Sequence, residues 1–73
     1  MGSGNNDELR DHYQQVTGAL DIITLLREEM EQWLEEAQDA SKQEALENVV
    51  GHLEAMEEEY KERSAELKAK LAP

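Results

Sequence analysis

Apolar side chains recur along the first half of the chain in alternating steps of four and three residues. This spacing is typical of a helix that packs along one side on a neighbouring helix. Because the phase does not change across Gly18, we predict one helix of about 32 residues over about 6–38. A break at Gly18, which would give three helices in all, is the alternative. The predicted seam comprises Leu9, Tyr13, Val16, Leu20, Ile23, Arg27, Met30, Leu34 and Ala37.

A second helix is predicted after a short polar link at about 39–41. Ser41 and Glu44 form a capping box directly before a renewed apolar period, so this helix runs over about 42–71. A link this short joins antiparallel neighbours. The sequence therefore predicts an all-α fold, an antiparallel two-helix hairpin. The second seam comprises Leu46, Val49, Val50, Leu53, Met56, Tyr60, Leu67 and Leu71.

The N-terminal segment 1–4 reads Met-Gly-Ser-Gly and resembles a disordered cloning remnant, so the hairpin is expected over 5–73. Asn5 with Glu8 can cap the first helix. The remnant slightly favours a designed chain. The mid-helix glycines Gly18 and Gly51 argue against a fully idealised design, so the origin stays open.

A core this small rarely supplies more than about 3–5 kcal/mol without a further constraint. The 73 residues include no cysteine, which excludes disulfides, and His12 and His52 lack the clustering of a structural zinc site. Oligomerisation is the constraint that remains.

The apolar arc of the first helix is wider than one neighbour can cover. It approaches about 180°, against about 120° on the second helix, which leaves a flank without a partner. We predict that this flank is a self-association interface and that two hairpins form a four-helix bundle. In the alternative, Trp33 and Leu26 belong to the hairpin core and Leu25 is simply exposed. The predicted interface comprises Gly18, Ala19, Ile22, Leu25, Leu26 and Trp33.

The formal charge of −11 disfavours nucleic acids and anionic membranes as partners. The chain itself, as a homodimer, or another helical protein fits better. Acids are concentrated near the turn and bases near the open end, which predicts a dimer with its two turns at opposite ends.

Arg27 and Glu57 interrupt the two facing seams at similar heights and are predicted to pair and to fix the register. No catalytic residue, cofactor site or metal ligand is predicted, and we do not expect an enzyme. The predicted function is a non-enzymatic self-association module, engineered or designed. The alternatives are a module that grips an amphipathic helix of a partner, and a metal-dependent assembly on the histidines. The chain is expected to be soluble, compatible with the cytoplasm.

Overall fold

A computed structural model describes residues 2–72, with side chains from residue 6 onward; Met1 and Pro73 lie outside this range. It contains two α-helices, α1 over Gly2–Glu36 and α2 over Ala40–Leu71, which pack against each other as a hairpin. The Cα atoms span 58 × 14 × 14 Å. The predicted all-helical hairpin is confirmed. Because α1 passes through Gly18 without a break, the three-helix alternative is wrong.

The N-terminus of α1 lies further upstream than the sequence predicts. The helix begins at Gly2, so Asn5 and Asn6 lie within it and do not cap it, and residues 2–4 are helical. Extending an existing helix by one residue carries no nucleation cost, which is why the helix can continue past its predicted start.

The N-terminus of α2 is capped by Asp39, two residues before the predicted cap Ser41. Asp39 has extended backbone dihedrals, and its Oδ1 accepts hydrogen bonds from the backbone N and the Oγ of Ser41, each at 3.2 Å. A carboxylate at this position satisfies one of the free N–H groups of the first turn. The helix therefore begins at Ala40, slightly earlier than predicted.

The link over residues 37–39 closes both helix ends without a glycine. The backbone N of Ala37 donates to the carbonyl of Leu34 at 3.3 Å, and Gln43 Nε2 donates to the carbonyl of Ala37 at 2.7 Å. These bonds satisfy groups that the helix end leaves free. No non-glycine residue within residues 2–72 has a positive φ.

Contacts across the hairpin show which residues of the two helices lie level with each other. Gln43 bonds to Ala37 near the turn, and Thr24 bonds to Glu57 near the middle. Residues of α1 and α2 therefore lie at the same height when their numbers add up to about 80.

The seam of α1 is buried or half-buried from Leu9 to Ala37, as its spacing predicts. Its most enclosed members are Val16 and Ile23, and the most enclosed apolar residues of α2 are Val50 and Leu67. No side chain within residues 6–72 is completely enclosed. Two helices alone cannot surround a core, so one side of it remains open to solvent.

Val49 and Met56 do not face α1, although the sequence places them in the α2 seam. They are 41% and 40% exposed. Residues seven apart form a column along a helix, and the columns that face α1 contain Leu53 and Glu57. Val49 and Met56 occupy the next column around α2.

Candidate association surface

The hairpin has one apolar and one polar face. On α1, the residues three positions after the seam residues Val16, Ile23 and Met30 form a column of Ala19, Leu26 and Trp33. On α2, the residues three positions after the seam residues Leu46 and Leu53 form a column of Val49 and Met56. Antiparallel helices turn in opposite senses when viewed along one direction, so columns with the same offset reach the same side of the hairpin. With Ile22 at its edge, this side is called the apolar face. It comprises Ala19, Ile22, Leu26, Trp33, Val49 and Met56.

A hydrogen bond across the hairpin identifies the opposite, polar face. Thr24 lies one residue after the seam residue Ile23, in a column opposite to that of Leu26. Its Oγ1 donates to Glu57 Oε2 at 3.0 Å, so this column and the Glu57 carboxylate lie on the same side. Glu54 and Lys61 of α2 have the equivalent offset. The two faces are thus separated by the line of contact between the helices.

The apolar face exposes large side chains from both helices. Ile22 is 60% exposed, Trp33 53% and Leu26 42%, alongside Val49 and Met56. If a large side chain has roughly 200 Å² to expose, these five leave on the order of 500 Å² of apolar surface open. Apolar patches of this size on small proteins are often functional.

The exposed side chains form one continuous patch. In the observed register, Trp33 lies level with Val49, and Leu26 lies level with Met56. From Ile22 to Trp33 the patch extends about 16 Å along the helix axis, or three helical turns. A partner of similar length could cover it with one helical face.

Four of the six predicted interface residues lie on the apolar face, and two do not. Ala19, Ile22, Leu26 and Trp33 are on it; Gly18 and Leu25 belong to a column on the outer side of α1, directed away from α2. Leu25 is 62% exposed. A Cβ at Gly18 would have no neighbour within 4 Å.

The sequence prediction missed Val49 and Met56. Val49 and Val50 are adjacent, so they are about 100° apart and cannot both point at α1. That adjacency was the available signal that a second apolar column exists on α2.

Arg27 and Glu57 form an ion pair across the seam. Arg27 Nε donates to Glu57 Oε1, and Arg27 Nη1 donates to Glu31 Oε1 at 2.7 Å. Glu57 is only 6% exposed, and its second oxygen accepts from Thr24. The predicted contact is present in the structure; that it sets the register remains a prediction.

The surroundings of Glu57 act on its pKa in opposite directions. Burial raises the pKa of this carboxyl, whereas the hydrogen bonds from Arg27 and Thr24 and the positive charge of Arg27 lower it, and the net effect is a pKa below the usual 4.5. Hydrogen bonds to Glu31 and Glu57 raise the pKa of Arg27. Both groups are therefore charged at neutral pH.

On the polar face, a shallow depression of about 250 Å³ is lined by charged groups. Within residues 2–72, no three His, Cys, Asp or Glu side chains are placed to share a metal ion, and His12 and His52 are both exposed at different heights. The residues around the depression are Arg27, Glu54, Glu57, Glu58 and Lys61.

Comparison with protein-family models, curated proteins and solved structures finds no match to this chain. Neither α1 nor α2 is long and apolar enough to cross a lipid bilayer.

Proposed function

We propose that this chain is a self-association module in which two copies bury their apolar faces against each other and form a homodimeric four-helix bundle. The observation that supports the proposal is the apolar face itself, which both helices build and which exposes five large apolar side chains in one patch. Burying one such face against another would place all four helices around a common core.

The energetics of the hairpin favour this occupant. Within residues 6–72, no side chain of the two-helix core is completely enclosed. A core this small contributes little to the stability of a single copy. Two faces of on the order of 500 Å² would together bury about 1,000 Å², near the lower limit of a stable protein interface. Each copy also carries a charge of −11, which opposes association. We therefore expect a dimer that dissociates on dilution.

The test is the solution mass as a function of concentration. We expect the mass to rise from 8.3 kDa to twice that value between about 1 µM and 1 mM, at roughly 0.15 M salt to screen the net charge. Light scattering or sedimentation equilibrium measures this.

Trp33 provides an independent readout, because it is the single tryptophan of the chain and lies on the apolar face. Its emission should shift to shorter wavelength, and its quenching by acrylamide should decrease, over the same concentration range as the mass change. A chain that stays monomeric throughout, with Trp33 accessible to quencher, would refute self-association and leave the face to a helix of another protein.

A further inference from the structure

Resting on the proposed function, we propose an orientation for the homodimer: the two turns lie at the same end of the bundle, and α1 of each copy packs on α2 of the other. This is opposite to the orientation that the charge of the two hairpin ends predicts. The charges beside the apolar face distinguish the two orientations.

Two two-fold arrangements bring the apolar faces together. In the same-end arrangement the two-fold axis runs parallel to the helices, so both turns lie at one end and α1 packs on α2 of the second copy. In the opposite-end arrangement the two-fold axis runs perpendicular to the helices, so the turns lie at opposite ends. There α1 packs on α1 of the second copy, and α2 packs on α2. Neighbouring helices are antiparallel in both, so backbone direction does not distinguish them.

The α1 border of the apolar face is acidic. The column of Ile22 also contains Glu8, Glu29 and Glu36, all exposed. No ion pair joins Glu29 or Glu36 to another side chain within residues 6–72. These carboxylates are therefore available to a second copy.

The α2 column of the apolar face carries bases beyond its apolar side chains, whereas the next column outward contains Glu59 and Glu66. The column of Val49 and Met56 begins with Lys42 and continues with Arg63 and Lys70, all exposed. Arg63 is held beside the face, because its guanidinium lies 5.4 Å from the centre of the Tyr60 ring and its Nη2 donates to Glu59 at 2.8 Å.

In the same-end arrangement these borders are complementary. As within one hairpin, residues of α1 and of α2 of the second copy lie level when their numbers add up to about 80. Glu36 therefore lies within about one turn of Lys42 of the second copy, and Glu8 within about one turn of its Lys70. The apolar pairs match as well, since Trp33 meets Val49 and Leu26 meets Met56. Each contact occurs twice because the dimer is symmetric.

In the opposite-end arrangement like charges meet. With the two patches centred on each other, Glu29 lies within about one turn of Glu29 of the second copy, and Lys42 lies near Arg63. Like charges at an interface border disfavour that orientation.

Of the acids near the turn, Glu36 borders the apolar face and lies near Lys42 of the second copy. Glu35, Glu44 and Glu47 are exposed and lie on the polar side of the hairpin. Across two stacked hairpins these groups are about 20 Å apart, more than the Debye length of about 8 Å at 0.15 M salt.

Spin labels at the turn measure the orientation directly. Because the chain contains no cysteine, Gln38→Cys in the exposed link gives one label per copy. If both turns lie at the same end, we expect pulsed dipolar spectroscopy to measure a distance below about 25 Å between the two Gln38→Cys labels. Turns at opposite ends would be displaced by about 30 Å or more along the axis, and such a distance would overturn the orientation.

Glu28→Cys is the matched control. It lies on the polar side near the middle of the patch, so its label reports a dimer in either orientation. A short Glu28 distance with a long Gln38 distance refutes the orientation and leaves the dimer standing. If neither label shows an intermolecular distance at a concentration where dimer is expected, the proposed function itself is refuted.

A charge reversal gives a second test with opposite signs. In the same-end dimer Lys42→Glu places a carboxylate opposite Glu36, and we expect the dimer dissociation constant to rise about fivefold. In the opposite-end dimer the same change relieves the contact with Arg63, and association would strengthen. Lys68→Glu on the polar face makes the same change in net charge and is the control.

Discussion

Glu57 of α2 is nearly enclosed, yet it is charged, because Arg27 of α1 and Thr24 donate to its two oxygens. The pair lies in the middle of the seam, and a shift by seven residues would place the carboxylate beside Leu20 or Leu34. A half-satisfied buried charge is costly, so we predict that the pair resists sliding of the helices more than it adds stability.

We expect Arg27→Leu alone to lower the free energy of unfolding, because it leaves the Glu57 carboxylate enclosed with only Thr24 as a donor. The double variant Arg27→Leu with Glu57→Leu should recover most or all of that loss. Urea unfolding of the two single variants, the double variant and the parent forms a double-mutant cycle. A double variant that loses as much as the sum of the single variants would contradict this role.

The pair also predicts a pH dependence. Because the pKa of folded Glu57 lies below the usual 4.5, the unfolded chain binds more protons in this range. The stabilisation is complete above pH 4.5 and is lost as the pH falls through the folded pKa. The parent should thus be more stable than Glu57→Gln at pH 7, and the difference should shrink by pH 3.

Comparing the two proteins at each pH cancels the general effect of neutralising the other carboxylates. Denaturant unfolding monitored by circular dichroism gives both free energies. A difference that is constant from pH 7 to pH 3 would show that the carboxylate charge is not involved.

Helix-capping at the turn depends on Asp39. We expect Asp39→Ala to lower stability by about 1 kcal/mol, because it removes the acceptor for the backbone N–H of Ser41. Ser41→Ala, the control, should cost clearly less, since that hydroxyl only donates to Asp39. Thermal unfolding at fixed concentration measures both, and the reverse order would restore Ser41 as the cap.

Gly18→Ala and Gly51→Ala should each raise stability by about 0.5–1 kcal/mol, because an added Cβ meets nothing within 4 Å and alanine favours the helix. Neither glycine lies on the apolar face, so the dimer dissociation constant should not change. If Gly18→Ala weakens association, the outer side of α1 is part of the interface, as the sequence predicts.

Leu26→Glu tests the apolar face against the outer side of α1. The charge would lie at the centre of the patch, and we expect it to keep the chain monomeric at concentrations where the parent dimerises. Leu25→Glu is the matched control, because it makes the same substitution at the next residue, which lies on the outer side of α1. This variant should dimerise like the parent. Solution mass measures both variants, and equal loss of dimer in both would refute the assignment of the interface.

The elements of this fold follow from the amino-acid sequence alone. The four-and-three spacing from Leu9 to Ala37 predicts one long helix and its buried side, because helical periodicity is a local property. The short link determines an antiparallel partner, and these two facts place Arg27 opposite Glu57. The excess of apolar residues on α1, including Leu26 and Trp33, is likewise a property of the sequence.

The arrangement of that excess depends on how the two helices pack. Val49 and Val50 are equally apolar, and which one faces α1 depends on the rotation of α2, which the contact between the helices sets. That rotation places Val49 and Met56 beside Trp33 and Leu26, whereas Leu25 lies apart from them on the outer side of α1. It also distributes the charges to the sides of the apolar face, because a residue's lateral position depends on the tertiary packing and not on its distance from the turn.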